Sequence, residues 1–106
     1  MWEELLVKES IRRREILRNL SKYLRIIAET VKRLDPNAEA YLFGSVAESK
    51  SLVSSDIDVL IVTNLKPETV ISELWRKGIE DPFEIHVVPP EQLQPYRSRA
   101  KLVKIT

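Results

Sequence analysis

Residues 42–63 constrain the fold of this chain more than any other stretch. An apolar segment ends at Gly44-Ser45, a short polar segment follows, and a second apolar segment begins at Asp56-Ile57-Asp58. Because side chains alternate between the two faces of a strand, Asp56 and Asp58 are predicted to share a face, separated by two rises of about 3.3 Å each. Two carboxylates this close repel each other unless a cation lies between them.

The residue types around these aspartates indicate which ligands such a site would take. Carboxylate oxygens suit a magnesium ion that also carries substrate phosphates. Gly44 allows backbone to approach a phosphate closely, and a helix that begins at Ser45 would direct free N–H groups at an anion. Taken singly, Asp-x-Asp is also typical of a strand start and Gly-Ser of a turn. Their order along the chain favours a combined metal and phosphate site.

Hydrophobic periodicity predicts the α/β (α+β) class, with a small mixed sheet of three to four strands and a long N-terminal helix. Helices pack on this sheet. The predicted strands are residues 39–43, 57–63 and 83–88; the predicted helices are residues 3–34, 45–49 and 67–78. Beyond them we expect a short helix from Pro90 and a less regular element around residues 97–105.

The predicted topology adds residues to the candidate site. Gly44 ends the first strand and Asp56 begins the second, so both lie at one sheet end if these strands are antiparallel. A right-handed crossover through helix 67–78 then makes the third strand parallel to the second. Glu84 and His86 therefore share that end and one face. We predict Glu84 as a third carboxylate ligand, the alternative being an exposed strand residue. For His86 a structural role is the more usual one.

Composition narrows the class of protein. The chain has 106 residues, 43% hydrophobic and 31% charged, and no cysteine, which fits one globular domain over residues 1–106 without disulfides. Its net charge of +1 gives no strong nucleic-acid signal. No apolar run approaches the length of about 20 residues that a membrane span needs, and the acidic start does not resemble a signal peptide. We therefore expect a cytoplasmic protein.

The segments Phe43-Gly44-Ser45 and 55–62 together resemble a known signature. They are similar to the minimal nucleotidyltransferases of the DNA polymerase beta superfamily, in which Gly-Ser, a short helix, Ser-Asp-x-Asp and an apolar strand follow one another. The resemblance covers residues 20–90. Two positions depart from it, because Val46 and Ser49 stand where the family usually carries Arg and Gly.

The resemblance implies a site and a cofactor. It implies that Asp56, Asp58 and Glu84 are the catalytic and metal-binding residues, holding two Mg²⁺ ions, or Mn²⁺ in their place. It implies nucleotide binding by the residues that flank the short helix, namely Gly44, Ser45 and Ser55. ATP is the donor nucleoside triphosphate that the resemblance favours.

The resemblance also implies an activity and a partner. It implies transfer of AMP to a hydroxyl acceptor, and many members of this small class are antitoxins paired with a HEPN-domain toxin. A binding module that neutralises a HEPN-domain protein by contact alone is an open alternative, and so is a structural domain in which the two aspartates merely flank a loop. The oligomeric state, including a homo-oligomer, is left open.

Overall fold

A computed structural model of the protein describes residues 2–48 and 56–106. Helices and short strands follow one another along the chain; the strands form a sheet and helices cover it. In chain order they are α1 (Trp2–Arg18), α2 (Leu20–Leu34), β1 (Glu39–Phe43), α3 (Gly44–Ala47), β2 (Ile57–Val62), α4 (Pro67–Arg76), β3 (Phe83–Val88), a 3₁₀ turn (Pro90–Gln92), α5 (Leu93–Arg99) and β4 (Val103–Lys104).

The strands form one mixed sheet in the order β3-β2-β1-β4. β1 is antiparallel to β2, and β2 is parallel to β3 through the crossover helix α4. The register places Phe43 opposite Asp58, and Asp58 beside Glu84. These pairings confirm the predicted fold class and strand directions, and they bring the end of β1 to the starts of β2 and β3.

The fourth strand comes from the C-terminal tail. Val103 and Lys104 pair with Leu42 and Tyr41 of β1 in the antiparallel sense. Both residues of β4 are exposed, so the hydrophobic pattern gave no strand signal there. Pairing with β1 gives the backbone N–H and C=O groups of β4 hydrogen-bond partners that the C-terminal tail does not provide by itself.

The two faces of the sheet are covered by different parts of the chain. One face packs against the helices before and between the strands, and its core joins side chains of α1, α2 and α4 to alternate strand residues, including Ile27, Leu74, Val59 and Ile61. The other face carries a smaller cluster of Tyr41, Leu60 and Val62, covered by Leu93, Tyr96 and Leu102. The charged residues at the start of β2 and β3 belong to this second face.

The prediction of one helix over residues 3–34 is wrong at Asn19, where the chain leaves the helical conformation with φ −107° and ψ 26°. The Asn19 side-chain amide donates to the Glu15 carbonyl at 2.8 Å, in addition to the Asn19 backbone N–H, which donates to the same carbonyl at 3.1 Å. Beyond the break α1 projects from the core. The apolar spacing over residues 3–34 predicts a buried helix face that includes Leu6, and this is wrong, because Leu5, Leu6, Val7 and Ile11 of α1 are exposed.

Helix α4 ends at Arg76, two residues before the predicted end at residue 78, where a glycine is typical of a helix stop. Gly78 has φ +84°, and its N–H donates to the Trp75 carbonyl at 3.0 Å. The next N–H, of Ile79, donates to the Leu74 carbonyl at 2.9 Å. This pair of bonds is a Schellman motif, which satisfies the last carbonyls of the helix and requires a left-handed residue at Gly78.

No helix in residues 2–48 and 56–106 is long and apolar enough to cross a membrane.

Candidate active site

Three side chains converge on the second face of the sheet, at the end where β2 and β3 begin. Asp58 and Glu84 are neighbours in the parallel register, and His86 follows Glu84 by two residues on the same face. One ligand atom from each of these three residues lies within 4.8 Å of the others. His86 Nε2 is 3.6 Å from Asp58 Oδ1 and 3.6 Å from Glu84 Oε1. We call these three residues the β2–β3 cluster.

The imidazole ring of His86 is held in place by aromatic packing. Its centroid lies 5.1 Å from that of Phe43 with an interplanar angle of 65°, and Phe43 in turn packs edge-on against Tyr96 at 5.7 Å. The His86 Nε2 atom is buried and has no hydrogen-bond partner among the residues that the structure describes. A buried polar atom without a partner costs free energy unless a ligand satisfies it.

The β2–β3 cluster has the donors that a divalent cation requires. Two carboxylates carry like charges that a cation would offset, and a neutral imidazole nitrogen is a common metal ligand. The Nε2 atom that lacks a partner faces both carboxylates, so a cation among them would satisfy all three groups. The residues present therefore fit a divalent metal ion.

Gly44 makes the contact between β1 and this cluster possible. Its backbone has φ +76°, a conformation that side-chain-bearing residues rarely adopt. A Cβ atom built on Gly44 would collide with the Asp58 carboxylate and would lie 3.3 Å from Asp58 Cγ. Glycine at this position thus allows both the turn into α3 and the close approach of its backbone to Asp58. Ser45 follows within the short helix α3.

Asp56 lies outside the β2–β3 cluster. It precedes the first residue of β2, its side chain is 48% exposed, and its Oδ1 atom is 3.8 Å from Arg13 Nη1 of α1. The same guanidinium lies 4.0 Å from Asp81 and 3.9 Å from Glu9. The structure therefore brings Asp58 and Glu84 together, while the Asp56 carboxylate is directed to Arg13. Ser55 and Ser49 lie outside the described residues.

Sequence reasoning missed the contact between Arg13 and Asp56. Arg12-Arg13-Arg14 form a basic run, and such a run is typical of a solvated helix face or of a docking surface for an acidic partner or a nucleotide tail. The acidic group that Arg13 meets belongs to this chain itself. Only the packing of α1 against the rest of the fold could show this.

A pocket of about 420 Å³ lies beside the β2–β3 cluster and was not predicted. It is bounded by Phe43 and by residues at the C-terminal end of the chain, namely Gln92, Pro95, Tyr96, Arg99 and Ala100. Phe43 separates this pocket from His86, since its ring contacts both His86 and Tyr96. The pocket therefore offers an aromatic wall and a guanidinium next to the candidate metal site.

A mixed α/β sheet with a carboxylate pair and a close-approach glycine at one end has the groups that a phosphate-handling domain would need. The comparison with known families makes this specific. Residues 24–105 match the model of the nucleotidyltransferase domain, so the chain belongs to that family. The match confirms the resemblance drawn from residues 43–62. It begins within α2, so α1 with Arg13 lies before the matched region.

Solved structures of similar proteins agree with this family. A proposed nucleotidyltransferase from Sulfolobus solfataricus is 25% identical, with a TM-score of 0.58 over 91% of this chain and 83% of that one. Another proposed nucleotidyltransferase is 29% identical, with a TM-score of 0.57 over 76% of this chain and 94% of that one. No curated protein sequence matches this chain significantly.

Proposed function

We propose that this chain is a metal-dependent nucleotidyltransferase that transfers AMP from ATP to a hydroxyl acceptor. The observation that carries the proposal is the meeting of Asp58 and Glu84 beside the backbone of Gly44 at one end of the sheet. This arrangement offers oxygen ligands for cations next to a place where backbone can approach a phosphate. The described strands share one sheet, which supports a single domain. A cytoplasmic location fits a protein that consumes ATP.

The reaction needs one new bond and one broken bond. The acceptor oxygen bonds to the α-phosphorus of ATP, and the bond from that phosphorus to the oxygen bridging to the β-phosphate breaks. Pyrophosphate leaves with that electron pair, and Glu84 would accept the proton of the hydroxyl. Divalent cations, when bound, supply positive charge that activates the attacking oxygen and stabilises the leaving one.

Asp56, Asp58 and Glu84 are the proposed holders of Mg²⁺ or Mn²⁺. Asp58 and Glu84 already face each other, whereas Asp56 must turn away from Arg13. That ion pair spans 3.8 Å and involves a half-exposed carboxylate, so it contributes at most about 1 kcal/mol. The cost of turning Asp56 towards a cation is therefore small.

Gly44, Ser45 and Ser55 are the proposed contacts to the triphosphate. Gly44 supports this role because it has no side chain that would keep a phosphate from its backbone. Ser45 follows directly with a hydroxyl that can donate to a phosphate oxygen. Ser55 precedes Asp56, and its role rests on the family signature.

The test compares Asp58→Asn with Glu29→Gln, a matched loss of one negative charge at an exposed position of α2. We expect the wild type and Glu29→Gln to transfer labelled AMP to the acceptor in the presence of Mg²⁺. Asp58→Asn should lower the rate by about a thousandfold or more, because a neutral amide cannot offset the charge of the cations. Equal transfer by both variants would contradict the proposed role of Asp58.

The acceptor that we propose is a tyrosine of a HEPN-domain toxin, and the alternative is neutralisation of that toxin by contact alone. Neutralisation of the toxin by contact alone is favoured by one observation: α1 exposes the apolar side chains of Leu5, Leu6, Val7 and Ile11. Contiguous exposed apolar side chains often mark an interaction site. The same side chains could instead bind a second copy of this chain, so the experiment must distinguish a homo-oligomer from a complex with the HEPN-domain partner.

Two variants separate contact from transfer in a mixture of this protein, the purified HEPN-domain partner and labelled ATP. Asp58→Asn should keep the complex and lose the label. Leu5→Ser combined with Ile11→Ser should weaken the complex. If the wild type binds the partner without labelling it, the protein neutralises its partner by contact and not by transfer of AMP. If the α1 variant binds the partner like the wild type but has a lower mass than the wild type when sedimented without the partner, α1 is a self-association surface.

A further inference from the structure

We propose that His86 is a metal ligand through Nε2, and that its nitrogen makes the centre prefer a first-row transition cation such as Mn²⁺ to Mg²⁺. The inference rests on the proposed function, because it assigns a further donor, a nitrogen, to the same centre. It goes beyond that function by naming the residue that selects the metal. It also replaces the sequence-based expectation that His86 has a structural role.

A structural histidine would have a hydrogen-bond partner for its buried nitrogen. His86 Nε2 is buried without such a partner in the described part of the chain, and Asp58 Oδ1 and Glu84 Oε1 each lie 3.6 Å from it. That separation is too long for a hydrogen bond. It leaves the nitrogen directed into the space between two carboxylates, where a cation could bind all three groups.

Aromatic packing holds one side of the His86 ring, whose side chain is 31% exposed. The centroid of the Phe43 ring lies 5.1 Å from that of His86, and the centroid of the Tyr96 ring lies 5.7 Å from that of Phe43. His86 also lies on β3, next to Leu60 in the parallel register, so its backbone is fixed by the sheet. A donor held by packing loses little conformational entropy when it binds a metal.

The nitrogen donor distinguishes between cations. Mg²⁺ prefers oxygen ligands and keeps much of its water, whereas transition cations accept imidazole readily. Two carboxylates alone would serve either kind of cation. With His86 as a third donor, the β2–β3 cluster should favour Mn²⁺ or Co²⁺ over Mg²⁺.

The chain offers an unusually direct test, because His86 is its only histidine. We would add Mn²⁺ alone to the untagged, metal-free protein and record pulsed electron paramagnetic resonance spectra. A coupling to an imidazole ¹⁴N nucleus can then come from no residue but His86. We expect this coupling in the wild type and its loss in both His86→Phe and His86→Gln.

The two variants control for folding in different ways. Phenylalanine preserves the aromatic contact with Phe43, and glutamine preserves a polar side chain on the strand. Both should weaken Mn²⁺ binding by about tenfold or more, since even residues that only support metal ligands change affinity by about 10–100-fold. Mg²⁺ binding, measured by competition against Mn²⁺, should change less. Circular dichroism and thermal unfolding identify a variant that fails to fold.

The outcomes separate this inference from the proposed function. Bound Mn²⁺ without ¹⁴N coupling, or equal Mn²⁺ affinity in wild type and both variants, would overturn the role of His86 while leaving the carboxylate centre intact. Absence of Mn²⁺ and Mg²⁺ binding by wild type, with or without ATP, would overturn the metal-dependent function and this inference with it.

Discussion

Replacing Gly44 with alanine perturbs the backbone and the candidate metal site at the same time, and the chain contains a matched control. Gly44 has φ +76° and its Cβ would meet the Asp58 carboxylate. Gly78 has φ +84°, but a Cβ built there has no heavy atom within 4 Å among the described residues. Gly78→Ala therefore introduces backbone strain alone, whereas Gly44→Ala introduces the same strain together with displacement of Asp58.

The expected loss of stability is similar for the two variants. An L-residue in the left-handed region costs about 1–2 kcal/mol, which in a domain of this size lowers the melting temperature by about 4–8 °C for each kcal/mol. The atom that Gly44→Ala would strike most closely is the terminal carboxylate of Asp58, whose side chain is 25% exposed and able to rotate. Its movement should therefore add little to the unfolding free energy.

The affinity for Mn²⁺ should differ between Gly44→Ala and Gly78→Ala, although their free energies of unfolding should be similar. If Asp58 turns away from the methyl group that Gly44→Ala introduces, it leaves Glu84 and His86, and the cation loses one of its carboxylate ligands. We expect Gly44→Ala to weaken Mn²⁺ binding by about a hundredfold, at the upper end of the effects seen for residues around metal centres. Gly78→Ala should bind Mn²⁺ like the wild type.

Two measurements on wild type, Gly44→Ala and Gly78→Ala test this reasoning. Urea unfolding of the metal-free proteins gives the cost of strain, and calorimetric titration with Mn²⁺ gives the affinity. Unchanged Mn²⁺ affinity in Gly44→Ala would refute the claim that the bare backbone of Gly44 is what permits Asp58 to lie in the site. Wild-type stability of Gly78→Ala would refute the estimate of strain.

Further predictions concern Asp35 and Arg13. The Thr63 hydroxyl, which donates to Asp35 Oδ2 at 2.6 Å, and the Asn37 N–H lower the pKa of Asp35 below its ordinary value. The resulting stabilisation is present above the pKa of the unfolded chain and is lost as the pH falls through the lower folded pKa. Thr63→Val should therefore raise the pKa of Asp35, seen by NMR titration, and reduce the acid-dependent part of stability; an unchanged pKa would exclude this hydrogen bond as the cause. Arg13→Gln should release Asp56 and raise Mn²⁺ affinity by up to about fivefold, the equivalent of the roughly 1 kcal/mol that such a pair contributes at most. A fall in affinity would instead show that Arg13 supports the site.

Much of the fold could be read from the sequence, because short-range patterns determine it. The strands at 39–43 and 83–88 have the predicted bounds, since alternating apolar residues are buried on a sheet. The strand directions followed from the short connection after Gly44 and from the handedness of the crossover through α4. Together they predicted Asp56, Asp58 and Glu84 at one end of the sheet, with His86 on the face of Glu84. The structure groups Asp58, Glu84 and His86 there, while Asp56 lies against Arg13.

The tertiary structure decided what surrounds those residues. The surroundings of the His86 ring depend on Phe43, which packs against it, and on Tyr96, which packs against Phe43 from another part of the chain. Whether Asp56 turns to the cluster or to Arg13 depends on how α1 packs after the break at Asn19. Alternation along a strand determines the face on which a side chain lies, but contacts between distant segments determine its rotamer and its partners. The family signature could therefore be recognised in the sequence, whereas the donor that His86 offers between two carboxylates became visible only in the folded chain.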